Sequence, residues 1–294
     1  MKNSKFFDPN IPNKSKKSDE LFQLIKGTNI PMPSEVEISE SGTCNRKCSF
    51  CPRSAPEWED KKDFISNELH SKLCNELSDI GFYGTLRYSG FVEPLLDKNI
   101  YNLINYARTK LPKSNIEMVT NGDVLNKKRL TKLYKSGLSK LLISVYDGPE
   151  DVEKFQKMFD ELMIPKEKYF IRHRYLPPTE DFGITLSNRA GMMENAEFSI
   201  KSKDKYINKP CYYPSYTFFL DYNGDVLMCP HDWGKKLILG NLKFETFLEV
   251  WTSKIATMTR KGLINADRDF EPCNLCDVQG TLIGKKHADQ WQKE

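Results

Sequence analysis

Cys44-Asn45-Arg46-Lys47-Cys48-Ser49-Phe50-Cys51 is the stretch that decides how this chain is read. The alternating run Val36-Glu37-Ile38-Ser39 precedes it and Pro52-Arg53 follows, so three thiols stand on a polar loop directly after a strand. At this spacing they can converge on one inorganic centre, and no fourth cysteine stands near them in the chain. A closed zinc site wants four protein ligands, whereas three thiolates on a cubane iron–sulfur cluster leave one iron open to a substrate or cofactor. A zinc knuckle or three unrelated buried thiols is the competing reading.

Length and composition narrow the class. The 294 residues suffice for one large domain, or a domain plus a smaller module. With 29% charged and 39% hydrophobic residues the chain is an ordinary globular protein. Its formal charge of +4 comes from scattered lysines, which predicts no nucleic-acid partner. No apolar run is long enough for a membrane span, and the N-terminus lacks the apolar centre of a signal peptide, so the expected location is the cytoplasm. There, clustered cysteines indicate metal binding or catalysis rather than disulfides. Of the eight cysteines only Cys74, beside the stripe Leu69, Leu73 and Leu77, reads as core packing.

Outward from the cysteine loop, strand and helix patterns alternate. Strand-like runs at 85–89, 116–119, 140–145 and 169–172 are separated by helical patterns at 66–81, 100–107, 125–134 and 155–162. This order predicts an α/β fold with a parallel sheet, whose function lies at the carboxyl ends of the strands. The rule gathers the three cysteines, Gly90 and Glu93, Thr120 and Asn121, Ser144 and Asp147, and Arg172 and Arg174 onto one rim. Residues 1–30 read as a mobile arm ending in a short helix near 20–25, residues 31–205 as the core, and 206–294 as a second domain.

These motifs resemble the radical S-adenosylmethionine (SAM) enzymes, whose signature is C-x3-C-x2-C with an aromatic residue before the third cysteine, here Cys44, Cys48, Phe50 and Cys51. The resemblance implies a partial (β/α)6 barrel with SAM chelated to the open iron of a [4Fe–4S] cluster. Reduction would then release a 5′-deoxyadenosyl radical that abstracts a substrate hydrogen. It also assigns Gly90-Phe91-Val92-Glu93-Pro94 to the SAM amino group, although Val92 departs from the usual glycine. By the same resemblance Ser144 serves the ribose or carboxylate of SAM, Arg172 or Arg174 binds its carboxylate, and Asn121 lies at the cofactor rim.

A second cysteine set follows. Two β-rich runs flank Asn223-Gly224, a strong hairpin signal because both residues tolerate positive φ. Cys211 precedes the first run and Cys229 ends the second, so both fall at one end of the hairpin. The stripe Phe244, Phe247, Leu248, Trp251, Ile255 and Met258 predicts a core-facing helix leading to Cys273-Asn274-Leu275-Cys276. Four thiols can close a zinc or an iron–sulfur site. The order of these elements resembles the twitch domain, a shortened SPASM module of hairpin plus helix that carries an auxiliary [4Fe–4S] cluster. This cysteine architecture resembles that of the 2-deoxy-scyllo-inosamine dehydrogenase family, which implies oxidation of a small hydroxylated substrate such as a sugar or cyclitol. The auxiliary cluster would accept the electron, and a flavodoxin or ferredoxin would be the reductant.

Such an oxidation needs a proton acceptor, for which Arg189, His173 and His231 are candidates, with Asn188 and Asp232 also facing substrate. Loop structure is the plainer role for Asn188 and Asp232. Two alternatives stand: a peptide-modifying radical SAM enzyme, for whose leader-binding domain the short arm is too small, and a redox-neutral sugar epimerase or dehydratase. A non-catalytic zinc protein would leave the three-cysteine loop unexplained.

Overall fold

The computed structural model describes residues 11–55, 58–176, 187–193 and 208–294. Five parallel strands, β1 (Glu35–Ser39), β2 (Thr85–Tyr88), β3 (Asn115–Thr120), β4 (Lys140–Val145) and β5 (Tyr169–His173), form the sheet. Helix α1 (Ile11–Glu20) precedes them, and α2 (Asn67–Asp79), α3 (Ile100–Lys110), α4 (Lys127–Lys135) and α5 (Pro149–Glu161) connect them. Val36, Ile38, Leu86, Tyr88, Ile116, Met118, Leu141 and Ile143 belong to the main buried core. Strand alternation turns Glu35, Glu37, Arg87 and Glu117 to the other face, the interior of the curled sheet.

Ser66 caps α2 by accepting from Leu69 N–H, and Gly81 ends that segment at φ +75°. The helix expected at 155–162 begins at Pro149, whose fixed φ suits a first turn that also carries Glu150 and Asp151.

The C-terminal hairpin is not set apart from this sheet. Its first strand, β6 (Thr217–Asp221), pairs in parallel with β1 from Glu35↔Thr217 to Ser39↔Asp221, and β7 (Asp225–Leu227) and β8 (Ile238–Asn241) continue antiparallel. The order is therefore β5-β4-β3-β2-β1-β6-β7-β8. Among the described residues the sixth parallel strand comes from the hairpin, on the opposite edge from β5, rather than from a sixth βα unit. The boundary expected at 205–206 lies outside the described residues.

Two local expectations are corrected. The N-terminal helix runs over Ile11–Glu20 instead of 20–25, and Lys17 Nζ reaches Glu117 at 3.0 Å while Ser18 and Ser34 hydroxyls meet at 2.9 Å, so α1 closes the amino-terminal mouth of the sheet. The single helix expected over 244–258 is two, α7 (Phe247–Trp251) and α8 (Lys254–Ile264), because Ser253 caps a new start and resets the register. Phe247 and Trp251 are buried, whereas Phe244, Leu248, Ile255 and Met258 are exposed. A four-residue helix, α6 (Tyr213–Tyr216), follows Cys211, and α9 (Lys285–Trp291) ends the chain's helices. No helix among the described residues is long and apolar enough to cross a membrane.

Candidate active site

The cysteine loop is fastened at both ends. Arg53, almost wholly buried, donates to Phe91 O at 2.7 Å and pairs with Asp60. Arg46 Nε donates to Asp123 Oδ2 at 2.7 Å and Nη1 to Asp147 Oδ1 at 2.9 Å, joining the loop to those after β3 and β4. Asn121 Nδ2 donates to Asn45 Oδ1 at 2.8 Å and reaches Cys44 Sγ at 3.9 Å.

Glu93 is 1% exposed and sits behind this loop. Its carboxylate accepts from Thr120 Oγ1 at 2.6 Å, Asn121 N–H at 2.7 Å and Leu95 N–H at 3.0 Å. Burial nonetheless pushes it up to about 7, against those donors. Glu93 therefore braces the β3 loop, a role beyond the cofactor contact expected of it. Gly90, at φ +97°, is required twice over: a Cβ there would stand 3.0 Å from the Phe219 ring and 3.1 Å from Ser39.

A cavity of about 310 Å³ opens inside the rim. Phe50, Gly90, Ser144, Arg172, Arg174 and Arg189 line it, bringing together six of the residues singled out in the sequence. Glu37, Tyr146 and Tyr213 line it too and were missed. Tyr146 follows Ser144 by two residues on one face, hydrogen-bonds with it, and packs on Phe50 at 5.4 Å. At the cavity floor Arg87 pairs with Glu35 and, at 2.9 Å, with Glu117. Burial opposes ionisation of Glu117, but Arg87 and Lys17 hold it down at about 2.

The proposed proton acceptors separate. Arg189 reaches the cavity from a loop whose residues 189, 190 and 191 all have positive φ, +48°, +54° and +91°. Such backbone persists only where surroundings dictate it, and Asn188 supplies the anchor: its N–H donates to Asp277 Oδ2 at 3.0 Å and its Nδ2 to Leu275 O at 2.6 Å. Asn188 thus holds the Cys273–Cys276 loop rather than substrate. Asp232 accepts from Lys236 and Leu237 N–H and is structural as well. His173 alternates to the face of β5 opposite Arg172 and Arg174 and stacks on Tyr175 at 5.9 Å. The half-buried His231 ring stands 5.1 Å from Tyr213 and faces the second cysteine set, where desolvation and then Arg189 push it down to about 3.

All four thiols of that set, Cys211, Cys229, Cys273 and Cys276, line one small cavity with Arg268. An amide two residues on points back at sulfur in both sets: Arg46 N–H to Cys44, His231 N–H to Cys229 and Val278 N–H to Cys276, each at 3.4 Å. Gly280 packs against Cys211 so closely that a Cβ there would collide with its Sγ. Burial raises the thiols, Cys48 and Cys276 to about 11, so metal must displace their protons. Thiols with backbone N–H donors suit iron–sulfur clusters, whose potentials such bonds tune. No three His, Cys, Asp or Glu side chains among the described residues close on a single ion, and a cubane does not ask it, since each thiolate takes a separate iron.

Comparison with known proteins agrees with this geometry. Residues 38–169 match the radical SAM superfamily, and residues 211–277 match the SPASM iron–sulfur cluster-binding domain. The chain is a radical SAM enzyme. Its first domain implies a [4Fe–4S] cluster with SAM, and its second a further iron–sulfur cluster. This radical SAM enzyme is 29% identical over 266 residues, 89% of the chain and 96% of the relative, to the SAM-dependent 2-deoxy-scyllo-inosamine dehydrogenase of Niallia circulans. It superposes on crystalline BtrN in complex with AdoMet and 2-DOIA with a TM-score of 0.74 at 27% identity, covering 88% of this chain and 98% of BtrN. BtrN in an open conformation gives 0.60 at 23% identity, over 84% and 97%, a likeness of fold.

Proposed function

We propose that this radical SAM enzyme oxidises a secondary alcohol of a small polyhydroxylated ring, a cyclitol or sugar, to the ketone. One observation carries the reading: Tyr213 lines both the central cavity and the cavity of the second cysteine set. Its N–H points to Cys211 Sγ, and Pro230, beside Cys229, lines the central cavity as well. A substrate there is one residue away from the second set.

The division of labour follows. Cys44, Cys48 and Cys51 hold the cluster that binds SAM, and Cys211, Cys229, Cys273 and Cys276 hold the second. When bound, these groups supply a 5′-deoxyadenosyl radical and an acceptor for one electron. Loss of the carbinol's carbon-bound hydrogen as an atom, of its hydroxyl hydrogen as a proton and of one further electron leaves the ketone. Ser144 and one of Arg172 and Arg174 hold SAM, the arginine by its fork on the carboxylate. Arg189, the one proposed acceptor in the central cavity, holds the substrate hydroxyl and stabilises negative charge as the proton leaves. A guanidinium stays protonated, so the proton passes on to solvent. A small flavodoxin or ferredoxin reduces the first cluster, and the clustered cysteines support a cytoplasmic setting. The similarity to the 2-deoxy-scyllo-inosamine dehydrogenase makes an aminocyclitol the first substrate to try.

Anaerobic incubation with SAM, reductant and 2-deoxy-scyllo-inosamine, scyllo-inositol or hexoses tests this. One ketone per 5′-deoxyadenosine supports oxidation, and Arg189→Ala then lowers turnover by about 100-fold or more while SAM still binds. Deoxyadenosine formed with a product of unchanged oxidation level would point to the epimerase or dehydratase instead.

A further inference from the structure

Arg268 has no part in the chemistry described so far. It lies between α8 and the Cys273–Cys276 loop, 1% exposed, and lines the cavity of the four thiols. All its observed hydrogen bonds go to main-chain oxygens: Nε to Lys209 at 2.9 Å, Nη1 to Val278 at 2.8 Å, and Nη2 to Pro210 at 3.1 Å and Gln279 at 3.3 Å. Those carbonyls flank Cys211 on one side and Cys276 on the other, so the guanidinium is fixed relative to two of the four sulfurs.

Neutral carbonyls satisfy its donors but do not cancel its charge. A buried guanidinium stays protonated, and burying a cation is costly unless an anion stands near it. Asp277, beside the set, turns Oδ2 to Asn188 N–H, and Asp232, which lines the same cavity, turns its two oxygens to Lys236 and Leu237 N–H; neither pairs with Arg268. The anion facing Arg268 in the shared cavity is then the thiolate set itself. A cluster held by four thiolates is negative and becomes more so on gaining an electron, so a fixed cation beside it favours the reduced state.

We propose that Arg268 is the built-in counter-ion of the second cysteine set, and that its charge raises the potential at which this site takes the substrate's electron. It is a positioning residue acting through the cluster. The inference rests on the reading that this set holds an electron-accepting cluster.

The test is a redox titration of the fully loaded chain followed by electron paramagnetic resonance, using the signal that does not respond to SAM. Arg268→Gln, which removes the charge, is expected to lower the midpoint by at least about 59 mV, a tenfold change in a one-electron equilibrium. Arg268→Lys, which keeps the charge, is expected to stay nearer the wild type. If Arg268→Gln loses the second set's iron and Arg268→Lys keeps it, the requirement for charge is likewise supported. Equal midpoints in wild type and Arg268→Gln, equal shifts in both variants, or loss of the iron in both would overturn the proposal. A wild-type chain with no such signal and zinc in the second set would overturn the proposed function, and this inference with it.

Discussion

Arg46 Nε donates to Asp123 Oδ2 at 2.7 Å, so a residue between the first two cysteines is tied to the loop after β3. The amide of the same arginine points at Cys44 Sγ, and its guanidinium also holds Asp147. The clamp thus orients the cysteine loop against two strands that line the central cavity.

Arg46→Ala should loosen that loop with little effect on the fold. Arg46 and Asp123 are partly exposed, so unfolding stability should fall by about 1 kcal/mol or less. Partners that orient metal ligands matter more to the metal, and release of iron from the first set to a chelator should accelerate by about tenfold or more. Unchanged release would show that the loop holds its shape without the clamp.

Glu93→Gln should destabilise the protein by about 1–3 kcal/mol in urea unfolding. Two carboxylate oxygens now accept three donors in a buried site, and an amide turns one of them into a donor facing an N–H or hydroxyl. A variant as stable as the wild type would mean that the β3 loop does not depend on this brace.

Acid should weaken the fold through buried histidines. Desolvation pushes His70 down to about 4, while its unfolded value is near 6.5, and His70 Nε2 meets Tyr88 Oη at 2.7 Å. The unfolded chain takes up the proton first, so the stability tied to neutral His70 is present above 6.5 and lost as pH falls toward 4. The loss between pH 7 and pH 5 should be about 2 kcal/mol, and His70→Gln should remove that part of the slope. An identical pH profile in the variant would contradict the assignment.

What was legible in the sequence was local. Three cysteines around Phe50, the Ser66 cap and the Asn223-Gly224 turn each announce themselves within a few residues, and the structure realises the cap and the hairpin, with Gly224 but not Asn223 at positive φ. The pairing of β6 with β1 was not legible, because it joins segments about 180 residues apart and leaves no trace in either pattern. Phe244 and Met258 misled because a helical stripe ignores two caps: Thr246 starts the first helix after Phe244, and Ser253 resets the register before Met258. Arg268 carries no sequence signal at all: it stands among polar loop residues, and only folding brings it to the four thiols. His173 was one residue out of phase, on the far face of β5 from the cavity.

Oxidation of the substrate requires the second cysteine set to hold an electron-accepting cluster. The most direct measurement is iron, sulfide and zinc content after anaerobic reconstitution, for the wild type and for a chain with Cys44, Cys48 and Cys51 all changed to alanine. About eight irons per chain falling to about four, with no zinc, is the predicted result. Zinc in the second set of either protein would contradict it, because zinc cannot take the electron.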